Sequence, residues 1–255
     1  MLLRWNTATD EFEQGDWFKG RIYTRRCDVS PNGEYLVYFA ANFGSGQHRF
    51  QYGYSWTAIS RLPSMNPVAL WAKDDCWFGG GMFSDDHSLV LNERSLVREV
   101  TLPDSMFDVR FDPTAHGEDE PIYSRRLDRD GWTIETEGRI VYLGGGFTTP
   151  QAEVRGKPGP NGQRLRVSRG IERFEVFDHY ELIASDGTAV PLRDATWADW
   201  DVHGRLVFAA NGRVCSAEMT SGGLSEKVLA DLSAISHDGL ESVGQPAVGG
   251  SALGG

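Results

Sequence analysis

Apolar positions along this chain come in short runs, and each run is introduced by a polar turn. Four of them share one form: a turn, then Leu or Ile, then Val, then a third apolar residue that is usually aromatic. They are Ser30-Pro31-Asn32-Gly33-Glu34-Tyr35-Leu36-Val37-Tyr38, Ser84-Asp85-Asp86-His87-Ser88-Leu89-Val90-Leu91, Glu137-Gly138-Arg139-Ile140-Val141-Tyr142 and Val202-His203-Gly204-Arg205-Leu206-Val207-Phe208. The central valines follow one another at 53, 51 and 66 residues. A repeat near that length, built on a turn and a short apolar strand, predicts an all-β fold: a small β-propeller of four to five blades. In Tyr35-Leu36-Val37-Tyr38-Phe39-Ala40 neither alternate set is polar, so this strand is expected to be buried on both faces. Leu36, Val37, Val90, Val141, Leu206 and Val207 are the predicted core positions.

Further strands follow each repeat where a blade needs them. They include Tyr54–Ser60, Val68–Trp71, Leu96–Val100, Phe107–Phe111, Arg213–Ala217 and Lys227–Ala230. Tyr180–Ala184 and Ala189–Leu192 flank Ser185-Asp186-Gly187-Thr188, which reads as a hairpin turn. Residues 150–170, with Lys157-Pro158-Gly159-Pro160-Asn161-Gly162, are polar and turn-rich and suggest a surface insertion. Pro113–Pro121 reads as a second irregular stretch. The expected organisation is one propeller domain over 1–232, followed by a flexible Gly/Ser-rich tail over 233–255. An N-terminal hairpin, Leu2–Trp5 with Trp17–Tyr23, is expected to close the ring against late strands and hide their edges.

The segment Asp28-Val29-Ser30-Pro31-Asn32-Gly33-Glu34-Tyr35-Leu36-Val37-Tyr38 resembles the strand-turn-strand motif of WD-repeat-like propellers and of Tol-system propeller repeats. Ser84-Asp85-Asp86-His87 matches it in part, and the other two repeats keep the Gly turn and the strand. The Gly-His and Trp-Asp signatures of true WD repeats do not occur at their places. The resemblance implies a propeller over most of the chain and leaves the particular family open.

Composition agrees with that picture. Eight Trp, eight Tyr and 13 Phe suit half-buried strands, and 30 Gly with 11 Pro suit many tight turns. The formal net charge of −11 argues against a nucleic-acid partner, which needs a concentrated positive field. Arg25-Arg26 and Arg125-Arg126 are read as solvated positions. No apolar run is long enough to span a bilayer, and the first residues lack the apolar core of an export signal. Cys27, Cys76 and Cys215 show no pairing logic. These features place the protein in the cytoplasm with reduced thiols and no membrane contact.

Candidate chemistry is sparse. The segment Phe43–Trp56 sets His48, Arg49, Phe50 and Tyr52 beside a Gly-Ser-Gly turn, an arrangement that suits a binding hot spot if exposed and a blade interface if buried. Trp197, Asp199 and Asp201 fall on one side of an extended strand, where a Trp with carboxylates suits a sugar or a basic peptide. The competing reading is an inner strand with a turn-capping Asp. Asp85-Asp86-His87 and His116 with Glu118, Asp119 and Glu120 have no recognised ligand spacing, so no metal or cofactor is expected. Gly79-Gly80-Gly81 and Gly144-Gly145-Gly146 lack a phosphate-loop context and read as points of close backbone approach. The function expected is a non-enzymatic scaffold for another protein, one of basic character given the acidic chain. The alternative is a five-bladed glycoside hydrolase or glycan-binding protein, for which Asp28, Asp85, Glu135 and Asp199 are the candidate carboxylates.

Overall fold

The computed structural model describes residues 1–43, 53–93, 99–101, 106–112, 114, 117–142, 147–172, 175–220 and 222–235. The chain is mostly β, arranged in several largely antiparallel sheets. Where the sequence suggested one domain, contacts within the chain sort into two compact units. Among the described residues, one comprises Met1–Arg4 and Glu13–Arg126; the other comprises Trp5–Phe12 and residues 127–235. Strands β1 (Leu3–Asn6) and β2 (Glu11–Gln14) form a separate hairpin, with Trp5 stacked on Phe12 at 5.6 Å.

The first unit is built on a six-stranded sheet. It contains β3 (Arg21–Ile22), β4 (Asp28–Val29), β5 (Tyr35–Ala41), β6 (Ser55–Arg61), β7 (Pro67–Lys73) and β10 (Glu99–Thr101). The expectation of burial on both faces holds for β5. Val37 joins Ile59, Trp71, Phe83 and Leu91 in one core cluster, while Tyr38 and Ala40 join Trp56, Leu70 and Met65 in another. A smaller sheet holds β8 (Gly81–Phe83), β9 (Ser88–Leu91) and β11 (Asp108–Phe111), and β11 runs parallel to β9 rather than antiparallel. Helix α1 (Glu120–Arg129) replaces the end of the irregular stretch expected at Pro113–Pro121. Pro121 sits in its first turn, where a missing N–H is no loss, and Ile122 and Tyr123 are buried.

The second unit holds two sheets. One contains β12 (Thr133–Thr136), β13 (Arg139–Tyr142), β14 (Phe147–Gln151), β15 (Glu153–Pro158), β16 (Arg164–Glu172), β17 (Glu175–Ile183) and β18 (Ala189–Pro191). The surface insertion expected over 150–170 is therefore corrected: most of that stretch is the paired strands β15 and β16, in register from Glu153↔Arg169 to Pro158↔Arg164. Only Gly159–Gln163 make the turn between them. Leu165 and Val167 alternate inward and are fully buried, and Arg155 and Arg169 are buried with them, paired to Glu153. Those buried arginines make a core hairpin look polar in the sequence. The Ser185–Thr188 hairpin is present, closed by the Ala184 N–H donating to the Thr188 carbonyl at 2.8 Å. The other sheet, β19 (Ala195–Trp200), β20 (Leu206–Ala210), β21 (Arg213–Thr220) and β22 (Gly223–Asp231), is an antiparallel meander in sequence order.

The repeats survive unequally. Val37, Leu206 and Val207 are buried, but Leu36, Val90 and Val141 are only half-buried, and Ile140 is 52% exposed. In the third repeat, therefore, Ile140 and Val141 stay out of the buried core. Cys27, Cys76 and Cys215 are free thiols. Among the described residues no helix is long and apolar enough to cross a membrane. The predicted tail falls outside the described residues from 236 onward.

Candidate functional site

Strand ends define one surface of the first unit. Ala41 at the end of β5 pairs with Ser55 at the start of β6, and Ser55 pairs with Lys73 at the end of β7. The chain therefore leaves β5, enters β6 and leaves β7 at one end of the sheet. Phe43, Tyr54 and Trp77 lie just beyond those ends, and all three are exposed: Phe43 at 61%, Tyr54 at 37% and Trp77 at 67%. Phe43 and Tyr54 are in ring contact, their centroids 5.5 Å apart.

An exposed Trp is unremarkable on a mobile loop, but the Trp77 loop is pinned along its length. The Ser55 hydroxyl donates to the Asp75 carbonyl at 2.6 Å, and the Trp77 N–H donates to Asp75 Oδ1 at 2.9 Å. Beyond Trp77, the Gly79 N–H donates to the Asn92 carbonyl, the Asn92 N–H to the Gly80 carbonyl, and the Gly80 N–H to Thr57 Oγ1. The three glycines 79–81 are points of close approach, as their sequence context suggested. A Cβ on Gly80 would lie 2.1 Å from the Arg26 carbonyl oxygen, and the residue has φ +80°, which L side chains rarely adopt.

Arg26 holds the centre of this loop. Its Nη1 donates to the carbonyls of Cys76 (2.7 Å) and Phe78 (3.1 Å), the two residues flanking Trp77. Its Nε donates to Asp119 at 2.5 Å and its Nη2 to Glu118 at 2.9 Å. The guanidinium also lies over the rings of Tyr23 (4.7 Å) and Phe39 (4.9 Å). The reading of Arg25-Arg26 as solvated is corrected for Arg26, which is 0% exposed. Five donors in a planar fork satisfy two carboxylates and two carbonyls at once, which an ammonium group cannot do. Arg126 likewise donates to the Cys27 carbonyl and approaches Asp28, so it too is engaged rather than solvated. Lys73 adds a second buried pair, 2.8 Å from Glu93. Burial pushes the Glu93 carboxyl above its usual value, against the pull of Lys73.

The residues singled out in the sequence separate into two groups. His48, Arg49, Phe50 and Tyr52 lie outside the described residues. Trp197 is 40% exposed, and Asp199 and Asp201 each have partners of their own. Asp199 is 2.5 Å from Lys157 and also accepts the Trp200 N–H. Burial raises its carboxyl above the usual range despite Lys157. Asp201 is the turn cap of the competing reading, accepting the N–H groups of His203 (2.9 Å) and Arg205 (2.8 Å).

The other carboxylates of the glycosidase reading are engaged as well. Asp28 accepts the Phe83 N–H at 2.9 Å, and Asp85 accepts those of His87 and Ser88. Those backbone N–H groups hold Asp85 below the ordinary carboxylate range. Glu135 is bound by Arg164 at 2.5 Å and Arg166 at 3.2 Å. Among the described residues no group of three or more His, Cys, Asp and Glu is placed to hold a metal ion. Sequence reasoning missed Trp77 and Arg26. The signal for Trp77 was the Asp75–Gly81 segment itself, where a Trp between an Asp turn and three glycines has no strand to join; Arg26 carried no local signal. Comparison of the chain with family models, curated proteins and solved structures finds no match.

Proposed function

We propose that this protein is a non-enzymatic interaction scaffold, assembled from propeller-like sheets, that engages another protein through Phe43, Tyr54 and Trp77. The observation that carries the proposal is the Trp77 loop: a side chain two-thirds exposed, on a backbone fixed from below by a fully buried arginine. Large aromatics held in place before binding lose little freedom on contact, and Trp and Tyr dominate binding hot spots. A core reading does not account for Trp77, because it leaves most of the ring in water. The propeller component rests on the repeat spacing and on the β19–β22 meander, the form a single blade takes. The enzymatic reading has less support, since Asp28, Asp85, Glu135 and Asp199 each serve a turn, a strand or an ion pair.

The test compares the full chain with Trp77→Ala and Tyr54→Ala in affinity capture from the native host, read by quantitative mass spectrometry. Capture of a defined partner should fall at least about tenfold in Trp77→Ala, the loss of a hot-spot residue. The thermal midpoint should be nearly unchanged, because the ring is not part of the core. Partner recovery equal to wild type in both variants would place the binding surface elsewhere.

A further inference from the structure

Carboxylates stand beside the exposed aromatics. Asp74 is exposed, and the Asp75 side chain is 50% exposed. A Cβ on Gly53 would fall 2.5 Å from Asp74 Oδ1, which puts that carboxylate against the residue preceding Tyr54. Cations at the same end of the sheet are already engaged: Lys73 between Glu93 at 2.8 Å and Asp75 at 3.6 Å, Arg26 with Glu118 and Asp119, and Arg21 over the Tyr23 ring at 4.7 Å, which leaves Asp74 without one among the described residues. The field of this cluster is felt at Tyr54, whose hydroxyl is pushed above its usual value by burial, then by Cys76, Asp75 and Asp74.

Resting on the reading of this surface as a protein-binding site, we propose that its partner presents an arginine-bearing segment, with guanidinium groups accepted by Asp74 and Asp75 against the Tyr54 and Trp77 rings. Two features on the surface select that chemistry together. Carboxylates accept the planar fork of a guanidinium, and aromatic faces attract it, whereas an ammonium satisfies the first requirement better than the second. The net charge of −11 adds long-range attraction for the same kind of partner and repels acidic ones.

The test uses the full chain and labelled decapeptides of alternating Gly-Arg, Gly-Lys, Gly-Glu and Gly-Ser, with binding read by fluorescence anisotropy. The Gly-Arg peptide should bind most tightly and the Gly-Glu peptide should not bind. Asp74→Asn/Asp75→Asn and Trp77→Ala should each weaken the Gly-Arg complex by about tenfold. Asn at position 75 keeps the oxygen that accepts the Trp77 N–H, so the loop is retained. Should that double variant lose thermal stability because Asp75 also pairs with Lys73 at 3.6 Å, Asp74→Asn alone supplies the reading. A control, Glu218→Gln/Glu226→Gln, removes two exposed charges from the β21–β22 hairpin and should bind as wild type does.

Equal weakening in the control would reduce the effect to overall charge and overturn the proposal. So would no binding of the Gly-Arg peptide, or binding unaltered by Asp74→Asn/Asp75→Asn. Binding of cellohexaose that needs Trp77 and ignores Asp74 and Asp75 would overturn it in favour of a glycan. The two readings fail separately. Host-partner capture that requires Trp77 but tolerates Asp74→Asn/Asp75→Asn would leave the scaffold standing and remove only the arginine selection.

Discussion

Arg26 has two duties that substitution can separate. It neutralises Glu118 and Asp119, and it bridges the carbonyls on either side of Trp77. Arg26 is fully buried, and truncating it leaves a cavity and takes a donor from the Cys76 and Phe78 carbonyls, a loss of about 2–5 kcal/mol. Arg26→Ala is therefore expected to lower the denaturant midpoint severely. Arg26→Lys keeps a charge for the carboxylates, but a single ammonium cannot also reach both carbonyls. That variant should remain folded, with a smaller loss of stability, and should lose affinity for whatever Trp77 contacts. Chemical denaturation followed by binding measurements on the folded variant checks both parts. A lysine variant with wild-type affinity would show that the loop keeps its shape without the bridge.

At the scale of elements, the sequence was most legible where a turn had its own chemistry. Ser30 caps the first repeat by accepting the Tyr35 N–H, Asp85 caps the second and Asp201 the fourth, and each leads into a strand at the predicted place. The third repeat has Glu137-Gly138 in that position, and its Ile140 points to solvent. The apolar run was visible there, but nothing in it revealed which face would be covered. Legibility failed differently at β15 and β16. Composition concealed the strands because Arg155 and Arg169 occupy buried positions, satisfied by Glu153 on the same hairpin and, for Arg155, by Asp128 27 residues away. Leu165 and Val167 did alternate correctly with them. The site was half legible: the strand-end aromatics Phe43 and Tyr54 were in view, while Arg26 was hidden because its partners lie 50 to 93 residues away. If β15 and β16 are core, Leu165→Ala should cost about 2–5 kcal/mol. A surface insertion would tolerate the same change within about 0.5 kcal/mol, and urea unfolding distinguishes the two.

At the scale of the whole chain, Arg205 joins sequence positions that no local pattern connects. Its Nη1 and Nη2 each lie 2.8 Å from an Asp10 oxygen, its Nη2 also donates to the Thr7 carbonyl, and its Nε donates to Asp201 at 2.7 Å. The turn after β1 is thereby fastened to the turn before β20, the joining of early and late segments that the N-terminal hairpin was expected to provide by strand pairing. The fastening is ionic instead, so it depends on pH. The Arg205 guanidinium holds the Asp10 carboxyl below its ordinary value of 3.8. Burial opposes the ionisation of Asp201, but hydrogen bonds from Arg205 and His203 outweigh it and lower that carboxyl too. Both groups are more acidic folded than unfolded, so the unfolded chain binds more protons in this range and acid favours unfolding. Their contribution is complete above the unfolded value near 3.8 and disappears as pH falls through the lowered folded values. Asp10→Asn should lower the thermal midpoint at pH 7 by a few degrees and flatten its decline below about pH 4, where the wild type loses the same interaction. Thermal melts of both proteins across pH 2.5–7 would measure this. Parallel curves, offset by one constant amount down to the lowest pH, would mean that the Arg205 fastening does not titrate and that other carboxylates govern acid unfolding.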